Sequence, residues 1–248
     1  MSKTVYFVRH GESMYNKWRR ESFRNPCVLC CVCDPMLFDA ALSPAGEAQV
    51  RNLHDQVRAA EDPWLSRVEL VVTSPLTRAV ETCLGAFFPE SSYVMSPGRW
   101  SGTNADFDAA DGATSARVPA QHPYGAAPLC CALPREAMDT SCDVGTPVAE
   151  LRERYNTRVD TMALEESVWW YDSKTLRTRA AGEPHLIVRE SKSDVRLRIR
   201  AFRKWLANRP EKVIAVVGHS AYIKQFTGMS RKLKNCEVLK YTLALEES

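Results

Sequence analysis

Three short apolar runs, Thr4–Val8, Val68–Thr73 and Val213–Val217, interrupt a chain that is otherwise mixed in polarity. Each is rich in Val. A continuous apolar run of this length predicts a strand buried on both faces, as in a parallel sheet covered by helices. A fourth run, Val238–Leu245, has a different rhythm. Leu239, Tyr241, Leu243 and Leu245 alternate with Lys240 and Thr242, which predicts a half-covered strand. Helical spacing fills the intervals. Ser43-Pro44 reads as an N-cap followed by Pro at the first helical position, and Val50, Leu53, Val57 and Ala60 then recur at helical spacing. Thr146-Pro147 repeats that start ahead of Leu151 and Tyr155, with Glu150 and Glu153 near the positive helix end. The clearest helix covers about Ser193–Asn208, with Val195, Ile199, Phe202 and Leu206 on one stripe and Pro210 beyond its end. Strands interleaved with helices predict an α/β layered fold.

The stretch Ser91–Pro134 breaks this rhythm. It is crowded with Ser, Gly, Pro, Ala and Asp, and a loop of that length inside a compact chain reads as a lid-like insertion or a partly disordered segment. With 248 residues the chain suffices for one large α/β domain or two small ones. No internal repeat divides it, so the reading is one domain over 1–248 with an insertion at about 91–134.

Composition narrows the setting. The 33 Lys and Arg against 30 Asp and Glu leave a net charge of +3, which supports neither a general nucleic-acid binder nor a membrane-surface binder. No apolar run approaches the roughly 18 residues of a membrane helix. The segment Met1–Val8 reads as a strand leading into Arg9 and His10 rather than as a signal peptide. Nine cysteines, an odd number, favour reduced thiols and a cytosol-like compartment. The expectation is a soluble cytoplasmic protein.

The candidate chemistry sits just past three of the strands. The first is followed by Arg9-His10-Gly11-Glu12-Ser13 with Asn16 shortly beyond, the second by Ser74-Pro75-Leu76-Thr77-Arg78-Ala79, and the third by Gly218-His219-Ser220. In open α/β sheets ligands bind outside the carboxyl ends of the strands. Two Arg and two His converging there describe a pocket for a dianion, most simply a phosphate, whose oxygens match the planar guanidinium fork. Helix N-termini at Ser74 to Thr77 and at Ser220 could add backbone donors. Arg78 opens a helix, where the dipole disfavours a cation, and this points to a ligand role. A neutral imidazole is a competent nucleophile near pH 7. Phosphoryl transfer then asks for charge neutralisation and for an acid on the leaving oxygen.

Val8-Arg9-His10-Gly11-Glu12-Ser13 with Asn16, Ser74-Pro75-Leu76-x-Arg78-Ala79-x-x-Thr82 and Val216-Val217-Gly218-His219 resemble the histidine phosphatase superfamily, the phosphoglycerate-mutase-like fold. Leu42-Ser43-Pro44-x-Gly46-x-x-Gln49 resembles that family's first-helix start. The likeness runs from Thr4 to about Leu245, with Ser91–Pro134 uncovered. It implies a three-layer αβα sandwich with a mostly parallel sheet. It implies phosphorylation of His10, with Arg9, Arg78 and His219 holding the phosphoryl group and Asn16 hydrogen-bonding it. The family's acid is a Glu between the second and third of these strands, often preceded by Arg, and Pro134-Arg135-Glu136-Ala137-Met138 fits, which makes Glu136 the candidate over Glu12 and Glu150. The following Asp139-x-Ser141-Cys142-Asp143-Val144-Gly145-x-Pro147 is similar to a eukaryotic phosphatase-like branch, although that branch has His where this chain has Ala137.

The implied activity is hydrolysis of a phosphomonoester without metal or other cofactor. The substrate would be a small phosphorylated molecule, with a phosphoprotein as a further candidate, and no nucleic-acid or membrane partner is implied. Two other readings stay open. One is a mutase, although sugar-acid mutases of the superfamily carry Glu-Arg-x-Tyr-Gly where this chain has Arg135-Glu136-Ala137-Met138-Asp139. The other is a non-catalytic phosphate-binding or interaction module.

Three further patterns have plainer readings. Cys27, Cys30, Cys31 and Cys33 lie too close together for a typical structural zinc site and read as incidental thiols. Arg196, Arg200, Arg203 and Lys204 read as the solvated face of their helix. Trp169-Trp170-Tyr171 reads as core or lid packing, because no basic groove accompanies it.

Overall fold

A computed structural model describes residues 2–23, 34–59, 64–89, 127–164, 168–171 and 189–245. The cysteine cluster at 27–33 and most of the 91–134 stretch fall outside these residues. Five strands make one sheet: β1 (Ser2–Arg9), β2 (Leu70–Thr73), β3 (Leu129–Cys130), β4 (Val213–Gly218) and β5 (Val238–Ala244), in spatial order β3-β2-β4-β1-β5. All pairings are parallel except that of β5, which runs antiparallel to β1 at the edge. The helices are α1 (Met14–Ser22), α2 (Pro44–Ala59), α3 (Thr77–Phe87), α4 (Val148–Tyr155), α5 (Lys192–Asn208) and α6 (Ser220–Thr227).

The Val-rich runs are strands because both of their faces are covered. Tyr6, Val8, Val71, Ala215 and Val217 pack with α2, α3 and α4 through Val50, Leu53, Val80, Leu84, Phe87 and Leu151. The alternate residues Val5, Phe7, Val72, Ile214 and Val216 pack with α5 and α6 through Val195, Ile199, Phe202, Leu206, Ile223 and Phe226. The period-2 alternation of a strand thus sends successive side chains into two separate cores, giving the αβα sandwich. The edge strand β5 behaves as its alternation predicts, with Leu243 buried and Lys240, Thr242 and Ala244 exposed.

Two elements go beyond the sequence pattern. The stretch read as a loop to Pro134 contains β3, two residues long and paired parallel to β2. Helix α1 is short and mostly polar, burying only Tyr15 and Ser22, and it is started by a capping box between Ser13 and Asn16. Among the described residues no helix is long and apolar enough to cross a membrane.

Candidate active site

Register decides what meets at the carboxyl edge of the sheet. Arg9 is level with Gly218, Thr73 with Val217, and Cys130 with Thr73. The ladder continues one residue past each strand: His10 N–H donates to Gly218 O at 3.0 Å, Ser74 N–H to Val217 O at 3.0 Å, and Cys131 N–H to Thr73 O at 2.9 Å. Four adjacent parallel strands therefore release their chains side by side. β1 delivers Arg9 and His10, β4 delivers His219, β2 delivers Ser74 and then Arg78 on α3, and β3 leads into Glu136.

His10 is buried, and its Nδ1 lies 2.6 Å from Gly11 O. A carbonyl can only accept, so Nδ1 carries the proton of the neutral ring and Nε2 keeps its lone pair. Burial first, then the Arg78 and Arg9 charges, hold the imidazole well below the ordinary histidine range, so it is neutral at pH 7. The His219 ring is 5.1 Å away between centroids. Its Nε2 is 2.8 Å from Ser74 Oγ, and its Nδ1 is buried with no hydrogen-bond partner among the described residues. Burial and the Arg78 charge depress its pKa in the same way.

The loop after His10 is clamped from α2. Ser43 N–H donates to Glu12 O at 2.8 Å, Ser43 Oγ donates to Glu12 Oε1 at 2.8 Å, and Glu12 N–H donates to Gln49 Oε1 at 2.8 Å. A Cβ on Gly46 would lie 2.0 Å from Glu12 O, so only Gly permits this approach. Gly11 N–H donates to Thr82 Oγ1 of α3 at 3.0 Å. The Ser43, Gly46, Gln49 and Thr82 positions of the motifs thus have one shared task, to fix the backbone beside His10.

Arg78 is buried at 3% exposure. Its Nη1 donates to Cys142 O at 2.5 Å and its Nη2 to Asp143 Oδ1 at 2.9 Å. Its position at the helix start is matched by this internal acid, which sequence reading did not identify as a partner. Arg9 donates from Nη1 to Leu233 O at 2.7 Å, while its buried Nε has no partner among the described residues.

Glu136 sits where both arginines feel its charge. Its Oε1 accepts from Ala137 N–H at 3.0 Å and Tyr222 N–H at 3.1 Å, and its Oε2 accepts from Ala221 N–H at 3.3 Å. Burial, aided by Asp143, raises its carboxyl above the ordinary range despite these donors. The other two carboxyls are placed elsewhere. Glu12 is held by Ser43 and by an ion pair with Arg20, and Glu150 is exposed on α4.

The expectation that helix N-termini would offer amides to a phosphate needs correction at the start of α3, where Ser74, Leu76 and Thr77 N–H are all engaged within the protein. The Ala221 and Tyr222 amides of α6 are taken by Glu136. The Thr77 amide of α3 is taken by Asp39, whose carboxylate accepts from Thr77 N–H at 2.7 Å, Thr77 Oγ1 at 2.8 Å and Thr146 Oγ1 at 2.5 Å. Asn16 lies in the first turn of α1, with Oδ1 turned back on Ser13 N–H at 3.5 Å. Of the plainer patterns, Trp169 is buried, donating to Thr146 O at 2.7 Å and packing on Gly145. Arg196, Arg200 and Lys204 are exposed. Arg203 departs from that solvated face: its guanidinium lies 4.4 Å over the Phe226 ring and donates to Phe226 O.

A mostly parallel αβα sheet with two histidines, two arginines and a carboxyl gathered at its carboxyl edge defines a phosphoglycerate-mutase-like protein. No family model matches the chain, but curated relatives do. A phosphoglycerate mutase-like protein of Arabidopsis thaliana is 31% identical over 250 residues, covering 99% of this chain and 81% of that one. Phosphoglycerate mutase-like protein 2 of the same plant is 28% identical over 283 residues, covering 97% and 74%. A solved mycobacterial glucosyl-3-phosphoglycerate phosphatase aligns at 15% identity and TM-score 0.47, covering 98% of this chain and 91% of that one. The chain belongs to the phosphoglycerate mutase-like family, the one to which its strand-end motifs pointed.

Proposed function

We propose that this protein is a phosphomonoester hydrolase working through a phosphohistidine on His10. The observation that carries the reading is the placement of that imidazole: buried, its Nδ1–H spent on Gly11 O and its Nε2 without a hydrogen-bond partner among the described residues, with burial and two nearby guanidinium charges depressing its pKa. In the first step Nε2 attacks phosphorus and the ester P–O bond breaks, while Glu136 gives its proton to the departing oxygen. In the second, water attacks phosphorus, its proton returns to Glu136, and the P–N bond breaks to release phosphate and neutral His10. Arg9 and Arg78 neutralise the oxygens in transit, with His219 and Asn16 as further hydrogen-bond donors. An incoming dianion adds negative charge beside Glu136, which raises its carboxyl further and favours the protonated form that the first step needs.

The relatives' names support phosphoryl transfer of either the phosphatase or the mutase kind. Hydrolysis is preferred because the acid segment reads Arg135-Glu136-Ala137-Met138-Asp139, without the mutase pattern. A small phosphorylated molecule is the proposed substrate, and the free thiols at Cys83, Cys130, Cys131, Cys142 and Cys236 suit the proposed cytoplasmic setting.

The test is rapid-quench trapping of labelled phosphohistidine with an aryl phosphate, in excess chelator, for wild type and His10→Ala. Label on wild type that is absent from the variant is the expected result. Full activity of His10→Ala would overturn the reading. Rapid 3-phosphoglycerate interconversion dependent on a bisphosphorylated primer would establish the mutase instead, and no label with any ester would favour a binding module.

A further inference from the structure

Arg198 and Glu190 form a buried ion pair, with side chains 6% and 1% exposed, which Arg135 Nη2 joins at 3.3 Å from Glu190. The pair is bidentate: Nε donates to Oε1 at 3.0 Å and Nη2 to Oε2 at 2.8 Å. What distinguishes it is where the remaining groups go. Arg198 Nη1 donates to Leu133 O and Arg135 O, both at 2.7 Å, and Nη2 reaches Glu136 O at 3.5 Å. Glu190 Oε2 accepts from Met138 N–H at 3.3 Å, and Glu190 N–H donates to Met138 O at 2.8 Å. One ion pair therefore holds the backbone from Leu133 to Met138, the segment that carries Glu136. The Arg198 guanidinium also lies 4.9 Å over the Tyr222 ring, and the Tyr222 amide is one of the two α6 donors to the Glu136 carboxylate.

Stability alone does not account for such a pair. Taking two charges out of water costs about as much as their attraction returns, and apolar replacements of similar volume are often neutral. An apolar pair here would fill the space but leave the Leu133 and Arg135 carbonyls and the Met138 amide without these partners. The segment follows a strand of only two residues and has little regular structure of its own to set its path.

We propose that Arg198 and Glu190 are the positioning residues of the leaving-group acid, fixing the 133–138 backbone so that the Glu136 carboxyl is presented to the departing oxygen. This rests on the phosphohydrolase reading above. A leaving group that is stable as an anion needs little help from an acid, whereas an alkoxide needs a great deal. Loss of positioning must therefore appear as a dependence on the leaving group, which general loosening of the fold does not produce.

The experiment compares p-nitrophenyl phosphate with glycerol phosphate for wild type, Glu136→Gln, Arg198→Lys and the double variant Arg198→Met, Glu190→Met, with urea midpoints recorded for each. Arg198→Lys keeps the charge beside Glu190 and loses the fork. The double variant removes both charges of the pair, so if the single variant fails to fold the one ion left without its partner is Arg135, which also donates to Ala132 O. Glu136→Gln sets the reference and is expected to lose about 100-fold or more on the alkyl ester, the lower end of what a general acid contributes. In kcat/KM, which reports the first step and not hydrolysis of the phosphohistidine, the Arg198 variants are expected to lose about 10- to 100-fold on that ester, the cost of a misplaced group, while largely keeping the value for the nitrophenyl ester. Equal loss on both esters, or no loss, in a folded Arg198 variant would overturn the positioning role while leaving the hydrolase reading intact. Absence of a leaving-group effect in Glu136→Gln would instead overturn the acid assignment, and this inference with it.

Discussion

Replacing Gly46 by Ala sets two physical effects against each other. Gly46 is the third residue of α2, and helix propensity alone makes Ala better than Gly in a helix by about 1 kcal/mol. The structure predicts the opposite sign. The new Cβ would lie 2.0 Å from Glu12 O, 2.9 Å from Glu12 C and 3.0 Å from Glu12 N, against 3.4–4 Å for ordinary contact. All three atoms are backbone, and the carbonyl is already held by Ser43 N–H, so neither side can yield cheaply. A cost at the upper end of overpacking, about 3 kcal/mol, exceeds the propensity gain. The net is roughly 2 kcal/mol of destabilisation, a fall in Tm of about 4–8 °C for a chain of this length. Because Glu12 is two residues from His10, the variant should also lose turnover per folded molecule, by up to about 100-fold if the imidazole moves by an ångström. Gly228→Ala is the control. It has open space around it but sits at φ +73° in the cap of α6, so it should cost about 1–2 kcal/mol of backbone strain with little change in turnover. Urea unfolding and aryl phosphate turnover on the same preparations decide the matter. Gly46→Ala melting at or above wild type would refute the clash, and loss of stability with unchanged turnover would refute the clamp on His10.

Acid pH should weaken the fold through the two histidines. Their folded pKa values lie below the unfolded value, so the unfolded chain binds more protons as pH falls through about 6.5, and stability falls with it. Glu136 and Asp143, both raised, act with the opposite sign. The check is therefore the difference in urea midpoint between wild type and a His10→Asn, His219→Asn double variant, and an equal pH dependence in the two would count against the assignment. Asp143→Ala strands Arg78 in the interior and should cost about 3–5 kcal/mol, the usual penalty for halving a buried pair; calorimetry showing under half of that would mean that Arg78 finds another partner. Asp39→Ala removes the carboxylate bonded to Thr77 and Thr146, and losing such a cap costs about 1–2 kcal/mol. Asn at the same position keeps an acceptor oxygen and tolerates the φ of +40°, so it should recover much of that loss; equal midpoints for the two variants would argue against the cap.

Local pattern alone determined the layered α/β class, four of the five strands, the cap of α2 and the long stripe of α5, because each is a repeat of period 2 or 3.6 or a cap of fixed chemistry. At α4 it placed the cap on Thr146, whereas the helix starts one residue later, with Pro147 at the N-cap and the Thr146 hydroxyl on Asp39. It also singled out Arg9, His10, Arg78 and His219, since a charged or imidazole side chain directly after a buried strand has few structural uses. The sequence resemblance added Glu136. What it could not supply was β3: two residues, Leu129 and Cys130, have no period to read, and only pairing with β2 makes them a strand. That pairing carries the acid segment to the same sheet edge as the two histidines. The partners of the site were hidden for a similar reason. Asp39, Asp143 and Glu190 reach their contacts from 38, 65 and 8 residues away, and sequence spacing says nothing about which donor a buried carboxylate will find. Arg198 left one trace, a charge at helical spacing from Val195 and Phe202 on the buried side of α5. Its meaning appeared only when folding put the carbonyls of Leu133 and Arg135 within its reach. Periodicity is a property of neighbours along the chain, and burial follows from it; the pairing of charges in the interior is a property of the packed layers, and only they decide it.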